Sequence, residues 1–438
     1  MESIAPARRG RAPVGLFLAV LAWLFGPCFA RAQAPVQPPP IAPQSILRLF
    51  IGNAQRLDVA RLAIEGYLRS NPGIGIEIET GGTTLEQQQQ MLNAALTSKD
   101  SGYDLFLIDV LRPAQWAAAQ WAEPLDAHLG AERDFLLDRY LPGMRAASVH
   151  AGRVMALPYF ADAQFLYYRK DLLEKYALEP PRSWDELKAA AQKIMAGENN
   201  PALIGLQSAG APVESTVCTY LVPLWATGED LLAGGRPNLG SEAAKRPFQL
   251  WADLRAANVT PPNHSEIATD RIRQTMQAGN LIFGITWSYA WHRLQTDPDS
   301  AVKGRIGIAP LPGFEAGRSA SCLGGWMVAV SAFSRNKPEA AKFARHLSSP
   351  ETARVLALQA GHLPVFAELY SDPEVLAARP WFAQALPVVQ SARPRPITPR
   401  YSEVSEVLRA NVHAVLGGSK TPEQALSDMG IRLGGIFR

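Results

Sequence analysis

Between Ser45 and Gln120 the apolar residues switch repeatedly between the two-residue repeat of a strand and the 3.6-residue repeat of a helix. Ser45 to Ile51 is a short apolar strand. Asp58 to Leu68 is helical in spacing, and Asn71-Pro72-Gly73 stops it. Ile74 to Glu79 alternates as a second strand, and Thr84 to Leu96, with its run Gln87 to Gln90, predicts a second helix. Tyr103 to Asp109 predicts a buried strand and Arg112 to Gln120 a third helix. Strands separated by helices call for parallel pairing with right-handed crossovers. Ligands in open sheets of this kind collect beyond the carboxyl ends of the strands, which places Gly52-Asn53 and Asp109 at a candidate ligand edge.

From about Tyr159 to Gly284 the pattern is mainly helical: Ser183 to Met195, Val213 to Ala226, Ala243 to Asn258 and Ile267 to Ala278. Ser183 followed by Glu186 is a capping box at the first of these. Strands return at Leu281 to Thr286, Lys303 to Ala309 and Trp326 to Ser331. Helices follow at Pro338 to Leu347, Glu351 to Ala360 and Ser402 to Leu416, the last ended by Gly417-Gly418. The class is therefore α/β, with a helical block inserted into the sheet-forming segments. At 438 residues the chain exceeds what one hydrophobic core usually serves, so two lobes are expected.

The N-terminus reads as an export signal. Arg8, Arg9 and Arg11 precede an apolar run from Val14 to Phe25, then a Gly26-Pro27 break and the small-x-small pattern Ala30-Arg31-Ala32. This predicts a signal peptide over 1–32, with cleavage after Ala32. The run is too short to span a bilayer stably, and no other stretch approaches the required length. Phe25-Gly26-Pro27 before Cys28 is a poor lipobox, so a lipid anchor is not expected. Residues 33–44, rich in Pro and Gln, form an extended tether. Removing the signal takes Arg8, Arg9, Arg11, Arg31 and Glu2, leaving equal numbers of basic and acidic residues. Zero formal charge argues against a nucleic-acid binder and permits a neutral ligand. Only Cys218 and Cys322 remain; two buried thiols are the expectation, with a disulfide the alternative in an oxidising compartment.

Several separated motifs carry further information. Val154 to Leu187 (VMALPYFADAQFLYYRKDLLEKYALEPPRSWDEL) joins an apolar strand, a polar turn holding Asp162, a second strand and a helix. Ile285-Thr286-Trp287-Ser288-Tyr289-Ala290-Trp291 follows downstream, then Ala309-Pro310-Leu311-Pro312-Gly313, Leu323-Gly324-Gly325-Trp326, Gly361-His362-Leu363-Pro364 and Arg393-Pro394-Arg395-Pro396. In this order, from about Ile46 to Asp428, the chain resembles the extracellular solute-binding proteins of ABC sugar importers (family 1), nearest the trehalose/maltose-binding branch. The resemblance implies a type II periplasmic-binding fold with a hinge and an interlobe ligand cleft. Lobe I would comprise 45–157 and 285–331, and lobe II 158–284 and 332–438, with crossings near Pro158, Gly284 and Ser331. It also implies a periplasmic location, a membrane permease pair with its separate ATPase as partner, and a monomer. No cofactor is implied.

Sugar recognition needs aromatic faces for the C–H face of a pyranose and planar polar groups for paired hydroxyls. By the resemblance, Trp287 and Tyr289 lie in the cleft, Trp326 faces the sugar, and Gly324 or Gly325 offers a backbone amide. Ser288 stands where the family usually has Pro. Asp109 and Asp162 are the implied carboxylates, the helix after Asp109 offering a capping role instead. Arg395, favoured over Arg393, is the implied forked donor. Asn53 and Gln55 follow the first strand where polar ligand contacts often fall, and Gln87 is a candidate to reach inward from the second helix, the alternative for a Gln run being a solvated face. Val213-Glu214-Ser215 departs from the family's Tyr-Glu-Gly, which leaves the sugar's identity open. The expected ligand is a neutral di- or oligosaccharide resembling trehalose or maltose.

Two other functions compete with this one. A polyamine or similar solute would need several cleft carboxylates, whereas this set includes Arg. An exported glycosidase could use Asp109 and Asp162 as its carboxylate pair. No Gly-x-Ser-x-Gly, His-Glu-x-x-His or Walker A accompanies them, and the His and Cys show no metal-ligand spacing. The chain is therefore expected to be neither an enzyme nor a metalloprotein.

Overall fold

A computed structural model describes residues 45–52, 57–82 and 85–438, apart from the side chains of Leu85 and Glu86. The expected signal peptide and tether, and the candidate contacts Asn53 and Gln55, lie outside the described residues. Eight strands of the described chain form one mixed sheet. They are β1 (Ser45–Gly52), β2 (Ile74–Gly81), β3 (Leu105–Asp109), β4 (Leu157–Arg169), β5 (Ile204–Gln207), β6 (Leu281–Trp287), β7 (Ile306–Ala309) and β8 (Leu323–Val330). Their order is β2-β1-β3-β8-β4-β6-β5, with β7 paired to β4 off that path.

The opening alternation folds as its periodicity dictates. β1 pairs in parallel with β2, from Ser45↔Ile74 to Gly52↔Gly81, and with β3 at Leu49↔Leu105. Helices Leu57–Ser70 and Leu85–Thr97 connect these strands. The late strand β8 then runs antiparallel to β3, making the sheet mixed.

β4 differs from the strand-turn-strand read from the sequence. It is a single strand of thirteen residues, and Asp162 sits inside it. Its first half pairs with β8 up to Ala163↔Leu323, and its second half pairs with β6 from Gln164↔Trp287. A polar residue survives mid-strand because its carboxylate has three donors: the Ala163 amide and both the amide and hydroxyl of Ser288. β8 likewise begins at Leu323, ahead of the expected Trp326, so the Gly-Gly pair lies in the ladder and a register shift falls at Trp326/Met327.

Buried apolar side chains sort into two clusters. The first gathers β1, β3, β8 and the odd-numbered residues of β4 from Leu157 to Tyr167. The second gathers Leu166 of β4 with helices Trp184–Glu198, Ser215–Ala226 and Glu242–Ala256. The stretch 332–438 divides between them. Helices Lys337–Leu347, Pro350–Ala360 and Phe382–Ser391 pack in the first core, and Tyr401–Leu416 and Pro422–Ile436 chiefly in the second.

Local signals set the helix ends. Ser183 Oγ accepts the Glu186 amide, while the Glu186 carboxylate reaches one residue further back, to the Arg182 amide at 2.7 Å. Thr421 and Gln424 close a reciprocal capping box at Pro422–Ile436. No helix among the described residues is long and apolar enough to cross a membrane.

Candidate functional site

β3 ends on Asp109, and its antiparallel neighbour places Trp326 directly opposite. Opposed residues on adjacent strands share a face of the sheet, so indole and carboxylate lie side by side. Asp109 Oδ1 accepts the Leu111 amide at 3.0 Å, closing a turn before helix Pro113–Ala118. The capping role weighed for Asp109 is thus a turn bond, one residue short of the helix. The same oxygen lies 4.0 Å from Arg395 Nη2.

Arg395 is 2 % exposed and reaches this point from an extended Pro-flanked segment. Its Nη1 donates to Glu214 at 2.9 Å, and Nη2 donates to the Leu323 carbonyl at 3.3 Å. Nε has no partner, an orphaned donor in a buried position. The guanidinium lies 5.6 Å from the Trp287 ring. Arg393, two residues earlier, turns away: it pairs with Asp230 and stands 5.1 Å over Trp225.

Trp287 ends β6 and is 9 % exposed. Its Nε1 donates to Ser215 Oγ at 2.8 Å, and Tyr167 donates to its carbonyl at 2.9 Å. The ring packs on Gly324: a Cβ there would meet Trp287 Cζ3 at 2.7 Å and Asp162 Cβ at 3.2 Å. At Gly325, φ is +132° and a Cβ would lie 2.6 Å from the Phe160 carbonyl oxygen, so glycine is required on both counts. Trp287 is therefore packed in place, whereas Trp326 keeps part of its ring exposed.

Asp162 lies across the ladder from Gly324. Burial pushes its carboxyl up to about 6, against the pull of hydrogen bonds from Ser288 and Ala163; the charge of Asp109 adds to the rise. Burial also raises Asp109, opposed by Arg395 and Arg112 and reinforced by Glu214. Burial alone would lower Arg395, but Tyr401, Glu214 and Asp109 more than offset it, so the guanidinium keeps its charge. Tyr289 starts helix Tyr289–Thr296, half-buried, with its hydroxyl 3.4 Å from Asp270. Trp291 stacks on Trp381 with centroids 5.4 Å apart and belongs to the core.

The structure thus brings Asp109, Asp162, Trp287, Gly324, Gly325, Trp326 and Arg395 into one contiguous cluster. Among the described residues, no group of three His, Cys, Asp or Glu is arranged to hold a metal ion.

A family model described as bacterial extracellular solute-binding protein matches residues 53–354. The chain belongs to this family. A probable ABC transporter-binding protein of Deinococcus radiodurans is 33 % identical over 349 residues, covering 78 % of this chain and 80 % of that one. Maltose-bound MalE3 of T. maritima superposes with a TM-score of 0.82 at 32 % identity, covering 90 % of this chain and 100 % of that one. A solute-binding protein of Thermotoga lettingae bound with α-D-tagatose gives 0.79 at 25 % identity, with 90 % and 100 % covered.

Some groups around the cluster of this solute-binding protein were not evident from sequence. Tyr401 donates a short hydrogen bond to Glu214 Oε1, and Ser405 donates to Oε2 at 2.6 Å. Both lie on the first turns of Tyr401–Leu416, which reads only as an amphipathic helix. Cys218 and Cys322 form a disulfide, with Cα atoms 6.0 Å apart, correcting the expectation of two thiols. A separation of 104 residues gives no hint of contact. The fold sets the start of β8 against helix Ser215–Ala226, and that juxtaposition makes the pair.

Proposed function

We propose that this protein captures a solute for an ABC importer, and that the solute is a neutral di- or oligosaccharide of the trehalose or maltose kind. The cross-strand pair Trp326–Asp109, with Arg395 beside it, carries the reading. A partly open indole face next to a planar acceptor and a forked donor suits the C–H face and vicinal hydroxyls of a pyranose. The maltose-bound relative, alike over its whole length, supports the same ligand class. In this reading Asp109 and Arg395 hold hydroxyls, Trp326 stacks on a ring, and Trp287 walls the cleft. Gly324 and Gly325 present backbone, Asp162 and Tyr289 line the second-lobe side, and Asn53 and Gln55 add polar ligand contacts.

Lobe closure would present the loaded protein to a membrane permease pair energised by a separate ATPase, without bond chemistry in this chain. The Cys218–Cys322 disulfide favours an oxidising compartment, consistent with export to the periplasm as a monomer. A single ketohexose is the second reading, favoured by the tagatose-bound relative. Calorimetric titration of residues 33–438 with maltose, trehalose, sucrose, glucose, tagatose and spermidine tests both. Trp326→Ala should weaken the disaccharide that binds by about tenfold or more while leaving the melting temperature close to wild type. Binding of spermidine alone would overturn the sugar reading.

A further inference from the structure

Glu214 precedes helix Ser215–Ala226, and both its oxygens are engaged within the protein. Oε1 accepts from Arg395 Nη1 and Tyr401, and Oε2 accepts from Ser405. Its side chain is 12 % exposed, as is that of Asp109, and the Arg395 side chain between them is 2 % exposed. Three of the roughly four acceptor sites of Glu214 are thus taken inside the protein. Its effect on a ligand runs through Arg395, which it both aims and compensates.

We infer that Glu214 is a positioning and specificity-determining residue: it fixes the Arg395 fork toward Asp109 and cancels its charge, so that the cleft takes neutral sugars and rejects anionic ones. This rests on the sugar-binding reading above. An isolated buried guanidinium strongly attracts carboxylate or phosphate. Flanked by Glu214 and Asp109, with Asp162 on the facing strand, it becomes a directional hydrogen-bond donor in a surrounding that repels negative charge. A further cation beside Asp109 among the described residues, Arg112, donates to Gln115 and Ser402. Its charge acts on Asp109 in the same direction as that of Arg395. The balance around the cleft thus depends on Glu214. The sequence marks the position only as a departure from the related Tyr-Glu-Gly.

The test compares maltose with maltobionate, which replaces the reducing-end carbonyl by a carboxylate, on wild type, Glu214→Gln and Tyr401→Phe. Wild type should prefer maltose. Glu214→Gln keeps the side-chain shape, removes the charge, and should shift the maltose-to-maltobionate affinity ratio toward the anion by about tenfold. Tyr401→Phe removes a hydrogen bond to Glu214 without changing charge and should leave the ratio in place. Equal weakening of both ligands by Glu214→Gln would mean a merely structural role and overturn the proposal. If wild type binds neither of these two ligands, the titration against the wider ligand set above judges the sugar reading, and the nitrogen-15 Nε–H signal of Arg395 decides the role of Glu214. A changed shift and faster proton exchange in Glu214→Gln would support its hold on Arg395; an unchanged signal would overturn it.

Discussion

Replacing Asp162 with Asn removes a charge without removing an acceptor. The three donors aimed at this side chain, Ser288 N–H, Ser288 Oγ–H and Ala163 N–H, all meet Oδ1 at 2.6 to 2.8 Å. An amide oxygen offers these donors the same two lone pairs as the carboxylate oxygen it replaces. In the native protein burial pushes the carboxyl up to about 6, from an ordinary value of 3.8. Between these two values the folded state holds a proton that the unfolded state has released. This group's contribution is therefore fully present below pH about 4 and lost as pH rises through about 6. Two pH units at about 1.4 kcal/mol each give about 3 kcal/mol, which partial solvent exposure reduces to about 2 kcal/mol. Asp162→Asn should accordingly be more stable than wild type by about 2 kcal/mol at pH 7.5, and close to equal at pH 3.5. Urea unfolding followed by circular dichroism at four pH values between these limits gives the difference directly. A variant less stable than wild type at pH 7.5, or a difference independent of pH, refutes the burial argument.

Gly324→Ala drives a methyl group into the Trp287 ring, which Ser215 holds from its far edge. It should cost about 1–3 kcal/mol of stability, read by thermal unfolding, and shift tryptophan emission. Replacing both Cys218 and Cys322 with Ser opens a loop of 104 residues. Unfolding free energy should fall by about 2–4 kcal/mol, and thiol titration of the denatured, unreduced wild type should find neither cysteine free.

The first parallel strands were legible because period-two and period-3.6 patterns alternate without overlap between Ser45 and Gln120. Trp326, Asp109 and Arg395 were identifiable from separated motifs, and the fold brings them together. Asp162 was misplaced in a turn because a polar residue flanked by alanines resembles one. Only the distant Ser288 donors explain why it remains in a strand. Glu214, Tyr401 and Ser405 form their network across more than 180 residues of chain, so no local pattern announces it. The disulfide was hidden for the same reason. Phe382–Ser391 was missed because Pro387 interrupts its helical signal.

β4 belongs to both lobes at once, and its alternation carries a constraint on the gene as well as the fold. Odd-numbered residues from Leu157 to Tyr167, with Phe160 beside the register shift, feed the first core, while Leu166 feeds the second. A point substitution changes one of these commitments. Insertion or deletion of a single codon near Ala163 would exchange the faces of the strand residues beyond it, turning side chains of the first core toward the second and the reverse. The two lobes can drift apart in sequence, but through these thirteen positions they must keep step.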